Sequence, residues 1–125
     1  MRVCTIITGE VNSGKTTLLR RMIPDLVQAG RSIGGIIGVP VYRNGLKHGY
    51  DVMDIESGRM VPLVRRTETR GFHPENSFEN IGQFMLFDAG FRFAVAVLMR
   101  AAGTVGGTQK GTEADIICID EVGPL

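Results

Sequence analysis

The sequence predicts an α/β fold: helices packed on a mainly parallel sheet, with an antiparallel β-meander appended. Three observations predict it. An apolar, β-branched run, "RVCTIIT", ends beside Gly9 and gives way at once to a helical pattern. Asn44-Gly45 stands between two strand-like runs as a two-residue hairpin signal. A second buried-strand pattern, "ADIICIDE", ends in two acids.

Each element follows in turn. "RVCTIIT" reads as a buried parallel strand. Lys15 to Ala29 reads as a helix with Leu18, Leu19, Met22, Leu26 and Val27 on one face. Pro24 should kink or restart it, and Gly30 fits its stop position. "SIGGIIGVPV", Ser32 to Val41, reads as the next strand. The meander spans about 41–66: the Asn44-Gly45 turn, "LKHGYDVMDI", a turn at Glu56 to Gly58, and "RMVPLVRR". Pro62 argues for an edge position there, because proline cannot donate to a ladder. Thr67 to Asn80 is polar and reads as loop. "IGQFMLF" is a short strand candidate, and Ala89 to Ala102 reads as a helix. The glycine-rich stretch at about 103–113 reads as a flexible linker.

Length and composition bound the function. The 125 residues suit one domain, 1–125, with one core. The acidic strand end lies so close to Leu125 that the chain is expected to be the N-terminal portion of a longer protein, with an incomplete sheet. On that expectation Cys4 and Cys118 lie on strands that are not directly paired. A formal net charge of +1 provides no global attraction for nucleic acid or an anionic membrane. Cys4 and Cys118 each sit in an apolar run and read as small buried hydrophobes. With His48 and His73 they give no zinc spacing. No signal peptide or spanning segment is evident, so a cytoplasmic setting is expected.

The chemistry concentrates in "GEVNSGKTT". Gly9 to Thr16 fits G-x-x-x-x-G-K-[ST] between a strand and a helix, which is the phosphate-loop context. This assigns the fold class as a three-layer P-loop NTPase sandwich. Gly9, Glu10, Val11, Asn12, Ser13, Gly14, Lys15, Thr16 and Thr17 are the expected nucleotide-binding residues. The glycines permit close backbone approach, and the amides at the helix start face phosphate oxygens. Lys15 supplies a point charge to the β- and γ-phosphates, and the Thr16 hydroxyl can ligate magnesium. Asp120, at the end of a buried strand, is the expected carboxylate for that metal. Glu121 follows and can orient or deprotonate water for in-line attack. Lys15 and Glu121 are therefore the expected catalytic pair, and Thr16 and Asp120 the expected Mg2+ residues. Arg65, Arg66 and Arg70 offer a cation to the transition state, although a solvated loop is the plainer reading. Asp51 and Asp54 read as exposed meander residues. No N-K-x-D motif selects guanine, so ATP, GTP or other triphosphates all remain substrates.

"ITGEVNSGKTTLLRRM", "GGIIGVPVYRNGLKHGYDVMDI", "PLVRR", "IGQFMLF" and "ADIICIDEVGPL" together resemble the THEP-type nucleoside-triphosphatase family along nearly the whole chain. The resemblance implies a RecA-like core and magnesium-dependent hydrolysis of several nucleoside triphosphates. It implies phosphate and metal roles for Gly14, Lys15 and Thr16, a metal role for Asp120 and a catalytic one for Glu121. Two alternatives come from other classes. The loop also looks like that of the GTP-binding adaptors of molybdopterin guanine dinucleotide biosynthesis, and a small-molecule kinase would share the same loop.

Overall fold

The computed structural model describes residues 8–10, 13–67, 77–81, 84–103 and 113–120. The described elements are α1 (Lys15–Gln28), β1 (Ile33–Arg43), β2 (Leu46–Asp54), β3 (Met60–Arg66), β4 (Ser77–Ile81), β5 (Phe84–Phe87), α2 (Asp88–Ala101) and β6 (Ile116–Ile119). The six strands form one sheet in the order β4-β5-β3-β2-β1-β6.

That sheet is mixed, and this corrects the expectation of a mainly parallel one. Among the described strands only β1 and β6 pair in parallel. The β1–β2, β2–β3, β3–β5 and β4–β5 pairings are antiparallel. The physical reason lies in β1. It is eleven residues long, enough for its first part to serve as a parallel neighbour of β6 while its remainder forms one arm of a hairpin. Antiparallel pairing accordingly begins at Ile36, well before the expected start at about residue 41. The P-loop strand and the pairing of Cys4 lie outside the described residues, as does 104–112 of the expected linker.

The turns form as their residues dictate. Asn44 and Gly45 both have positive φ, 51° and 76°, which matches the twist a two-residue hairpin needs. Helix α1 ends in a Schellman arrangement: Gly30 N–H donates to the Val27 carbonyl and Arg31 N–H to the Leu26 carbonyl, each at 3.0 Å, with Gly30 at φ 83°. The helix is continuous through Pro24 rather than restarting there.

Pro62 is placed by local geometry. Strand β3 is internal, yet β5 pairs only with Val64 to Arg66. Among the described residues no strand pairs with Pro62 on the side away from β2, and the β2–β3 ladder shifts register between Tyr50 and Asp51. A proline is tolerated at such a point. The expected loop ends sooner than its polar composition suggests: β4 begins at Ser77, so residues 77–80 are strand, not loop.

The core lies between the sheet and α2. Val52, Leu63, Val64 and Ala94 are buried together, flanked by Ile36, Val61, Phe84, Leu86 and Phe93. Gly90 lets α2 approach closely, since a Cβ there would overlap the Pro62 carbonyl oxygen and lie 2.9 Å from Leu63 Cα. Ile37 is fully buried and, by strand alternation, points to the opposite face. Helix α1 is different. It has no buried residue, and Leu18, Met22 and Val27 of its predicted apolar face are exposed.

Candidate nucleotide-binding site

The site is built where a glycine turn meets a helix start. Gly14 caps α1 with φ 92°, a left-handed value that favours glycine. A glycine cap has no side-chain oxygen to occupy the first-turn amides, so those donors are suited to an anion. Ser13 N–H donates to the Glu10 carbonyl at 3.1 Å and tightens the loop before the cap. A Cβ on Gly9 would lie 2.5 Å from Ser13 Oγ, so a side chain there would require the serine hydroxyl to turn away.

Lys15 opens the helix and folds back across the loop. Its ammonium donates to the carbonyls of Gly9 and Glu10, 2.8 Å each. The charge is thereby held over the loop mouth rather than along the helix surface. Thr16 is the next residue, and its hydroxyl donates to Asp120 Oδ2 at 2.9 Å. That contact joins residues 104 apart in sequence. Asp120 is delivered to it by β6, whose parallel register with β1 runs from Ile33↔Ile116 to Ile36↔Ile119. Its own amide continues the ladder, donating to the Ile36 carbonyl at 3.0 Å. At the other end of β6 a reciprocal pair sets the register. Ser32 N–H donates to the Asp115 carboxylate and Asp115 N–H to the Ser32 hydroxyl, both at 2.9 Å. The Ser32 N–H, with the Ser32 hydroxyl beside it, holds the Asp115 carboxyl below the usual carboxylate range.

The structure thus brings Gly9, Glu10, Ser13, Gly14, Lys15, Thr16 and Asp120 to one end of the sheet. Thr17 follows on the exposed first turn of α1. Val11, Asn12 and Glu121 lie outside the described residues. Cys118, two residues before Asp120, is half-buried, and burial pushes its thiol up, disfavouring the thiolate.

Two expectations about charged residues change. Asp54 is not an exposed meander residue. It is 2% exposed and accepts hydrogen bonds from Arg100 Nη2 (2.6 Å), the Ser57 hydroxyl (2.7 Å) and Glu56 N–H (3.1 Å). Burial alone would raise its carboxyl; those donors outweigh burial and hold it below the usual range. The pair pins the last turn of α2 to the β2–β3 turn. Arg65 is not on a solvated loop either. It lies on β3, pairs with Asp51, and donates to the carbonyls of Tyr50 and Val64 at 3.0 and 2.8 Å. Arg66 stacks over the Phe84 ring, 5.4 Å from its centroid. Arg70 lies outside the described residues. Arg65 is thus bound to strand carbonyls and a carboxylate.

Residues 4–125 match a protein family described as NTPase. The chain belongs to this NTPase family. It is similar to the nucleoside-triphosphatase THEP1 of Methanothermobacter thermautotrophicus, 36% identical over 120 residues, covering 96% of this chain and 60% of the relative. It is also similar to a cancer-related nucleoside-triphosphatase homolog of Mus musculus, 30% identical over 121 residues, covering 95% and 59%. A solution structure of a human cancer-related nucleoside triphosphatase superposes with a TM-score of 0.61 at 26% identity, covering 92% of this chain and 57% of that one. The chain therefore spans about 60% of the length of the curated relatives it matches. Among the described residues no helix is long and apolar enough to cross a membrane.

Proposed function

We propose that this NTPase-family chain binds the triphosphate of a nucleoside triphosphate at Gly9–Thr17, and that the protein hydrolyses it to diphosphate and phosphate with broad base specificity. The observation that carries the reading is the Thr16–Asp120 hydrogen bond at 2.9 Å, which puts the end of the loop beside an acid 104 residues away. A plain strand-to-helix turn has no need of that acid. The fold class that goes with this reading is the three-layer P-loop sandwich, with 1–125 as one domain, in a cytoplasmic setting.

The roles follow from the chemistry of each group. The loop amides and the α1 N-terminus hold phosphate oxygens. Lys15 exchanges its bonds to the Gly9 and Glu10 carbonyls for β- and γ-phosphate oxygens, and neutralises charge there. Thr16 and Asp120 offer hard oxygen donors side by side, which suits Mg2+; this ion takes one or two protein oxygens and completes its shell with phosphate and water. When bound, Mg2+ would be held by Thr16 and Asp120 and would supply positive charge to the phosphate oxygens as negative charge develops on them. Glu121, next in sequence to Asp120, accepts a proton from water as the water oxygen attacks the γ-phosphorus. The bond from that phosphorus to the β–γ bridging oxygen breaks, and the diphosphate leaves with the bridging oxygen.

The nucleoside-triphosphatase names of the relatives favour hydrolysis over the molybdopterin-type adaptor and the kinase. Phosphate release from a panel of triphosphates tests the reading directly. Base-independent, magnesium-dependent release is expected, with Glu121→Gln lowering turnover by ~10²-fold or more while binding persists. Wild-type turnover in Glu121→Gln, or tight GTP binding without turnover, would contradict it.

A further inference from the structure

Gly35 lies in the middle of β1 with φ 119°, a conformation that side chains rarely adopt. A Cβ built there would overlap the carbonyl oxygen of Cys118 and sit 2.9 Å from both its carbonyl carbon and its nitrogen. Those atoms are β6 backbone, so no side-chain rotation could relieve the clash. Gly35 is opposite Cys118 in the ladder, one step before Ile36↔Ile119. Asp120 follows directly after the end of β6; its N–H donates to the Ile36 carbonyl and its carboxylate accepts from the Thr16 hydroxyl. On its other side the Gly35 carbonyl accepts the Ile55 N–H at 3.0 Å. That bond anchors this point of β1 to the turn carrying Asp54, so β1 is not free to retreat from β6.

We infer that Gly35 is a positioning residue for the metal-side half of the site: its missing side chain lets β6 lie deep enough against β1 for the Asp120 carboxylate to reach the Thr16 hydroxyl. This inference rests on the proposed phosphate and magnesium site. Gly35 itself touches neither Thr16 nor nucleotide. It acts through the Cys118–Asp120 backbone.

Two other glycines supply matched comparisons. At Gly49 a Cβ would overlap the Val64 carbonyl oxygen, the same kind of backbone clash but within the β2–β3 meander. At Gly34 a Cβ would meet the Ala101 side chain at 2.7 Å, a helix contact rather than a β6 one.

The test is calorimetric titration of the full chain with a slowly hydrolysed ATP analogue, once with Mg2+ and once with EDTA, alongside melting curves. Wild type should bind about tenfold or more tighter with Mg2+, a difference of about 1.4 kcal/mol. Gly35→Ala should bring that ratio toward one and leave the EDTA affinity in place, because the loop amides and Lys15 are untouched. Gly49→Ala should lower the melting temperature and keep the wild-type ratio. A folded Gly35→Ala with the wild-type ratio overturns the inference, as does an equal loss of the ratio in Gly49→Ala. If Gly35→Ala does not fold in buffer alone, the titration is run in sucrose, which favours the folded state. If it still does not fold while Gly49→Ala does, Gly35 serves the whole fold and the inference fails. A wild-type ratio of one would instead remove the metal-site reading, and the inference with it.

Discussion

The two ends of the sheet are held by different physics. On the meander side, Val52 and Val64 are 1% and 4% exposed and pack with Leu63 and Ala94 under α2. An ionised Asp54 closes the edge of that core with four partnered oxygen contacts to Arg100, Ser57, Glu56 N–H and the Gly58 N–H that meets its backbone carbonyl. On the nucleotide side α1 buries no residue, and Ile119 of β6 is 65% exposed. Thr16–Asp120 and Ser32–Asp115 do much of the joining there. The meander is a packed scaffold. Among the described residues the loop end is held by polar contacts tied to a group that the proposed chemistry uses or to the register that delivers it. Regions with few buried apolar contacts open at lower free energy, which suits a site that must admit a ligand.

The comparison breaks most visibly at Lys15. Its ammonium contributes to the loop end alone, so Lys15→Ala should lower triphosphate affinity by ~10²-fold, the scale of losing charge-assisted bonds of about 1.5–3 kcal/mol. The melting temperature should stay within about two degrees, as for other exposed substitutions. Calorimetric titration and a melting curve on one sample read both quantities. Retained affinity, or a collapse of stability, would erase the division between the two ends.

Leu63→Ala is the reverse experiment. It removes a side chain 8% exposed in the core cluster and should cost about 2–4 kcal/mol of stability. Denaturant unfolding measures that loss. Nucleotide affinity of the folded fraction should be unchanged, and a parallel loss of affinity would mean that the ends are coupled through the core.

Asp54 sharpens the comparison by its pH dependence. Its folded carboxyl is held below the usual range, so its contribution is complete above the ordinary carboxylate pKa of about 3.9 and is lost as pH falls through the lowered folded value. Asp54→Asn should cost about 1–2 kcal/mol at neutral pH, a modest figure because the Arg100 side chain is 46% exposed and can return to water. The gap between wild type and variant should narrow in acid, below the usual carboxylate range. Urea unfolding across pH 2.5–7 follows it (roughly the carboxylate titration range and above). A gap that is constant with pH would show that the charge of Asp54 is not what holds α2 to its turn.

The sequence made some of this legible for identifiable reasons. The loop at Gly9 to Thr16 is fixed in spacing by phosphate chemistry, and Asn44-Gly45 by a turn that demands positive φ. Asp120 could be named because an acid after four apolar residues is a local pattern. What escaped was set by partners distant in sequence. "SFENI" is polar, and only its pairing with β5 at the sheet edge makes it a strand. Asp54 looks like any turn acid until Arg100, 46 residues later, arrives beside it. Gly35 is one of three glycines in "GGIIG", and only the β6 backbone distinguishes it. The mixed sheet was hidden because one apolar strand, β1, serves a parallel and an antiparallel neighbour at once.

The central claim is that Thr16 and Asp120 act as one unit. A double-mutant cycle measures this most directly, using Thr16→Val, Asp120→Asn and both together, read as Mg2+-dependent affinity for a slowly hydrolysed triphosphate. The account predicts strong non-additivity: the double variant should be about as weak as the weaker single one, with a coupling of about 1 kcal/mol or more. Losses that add, within about 0.3–0.5 kcal/mol, would show that the hydroxyl and the carboxylate work independently and would contradict the account.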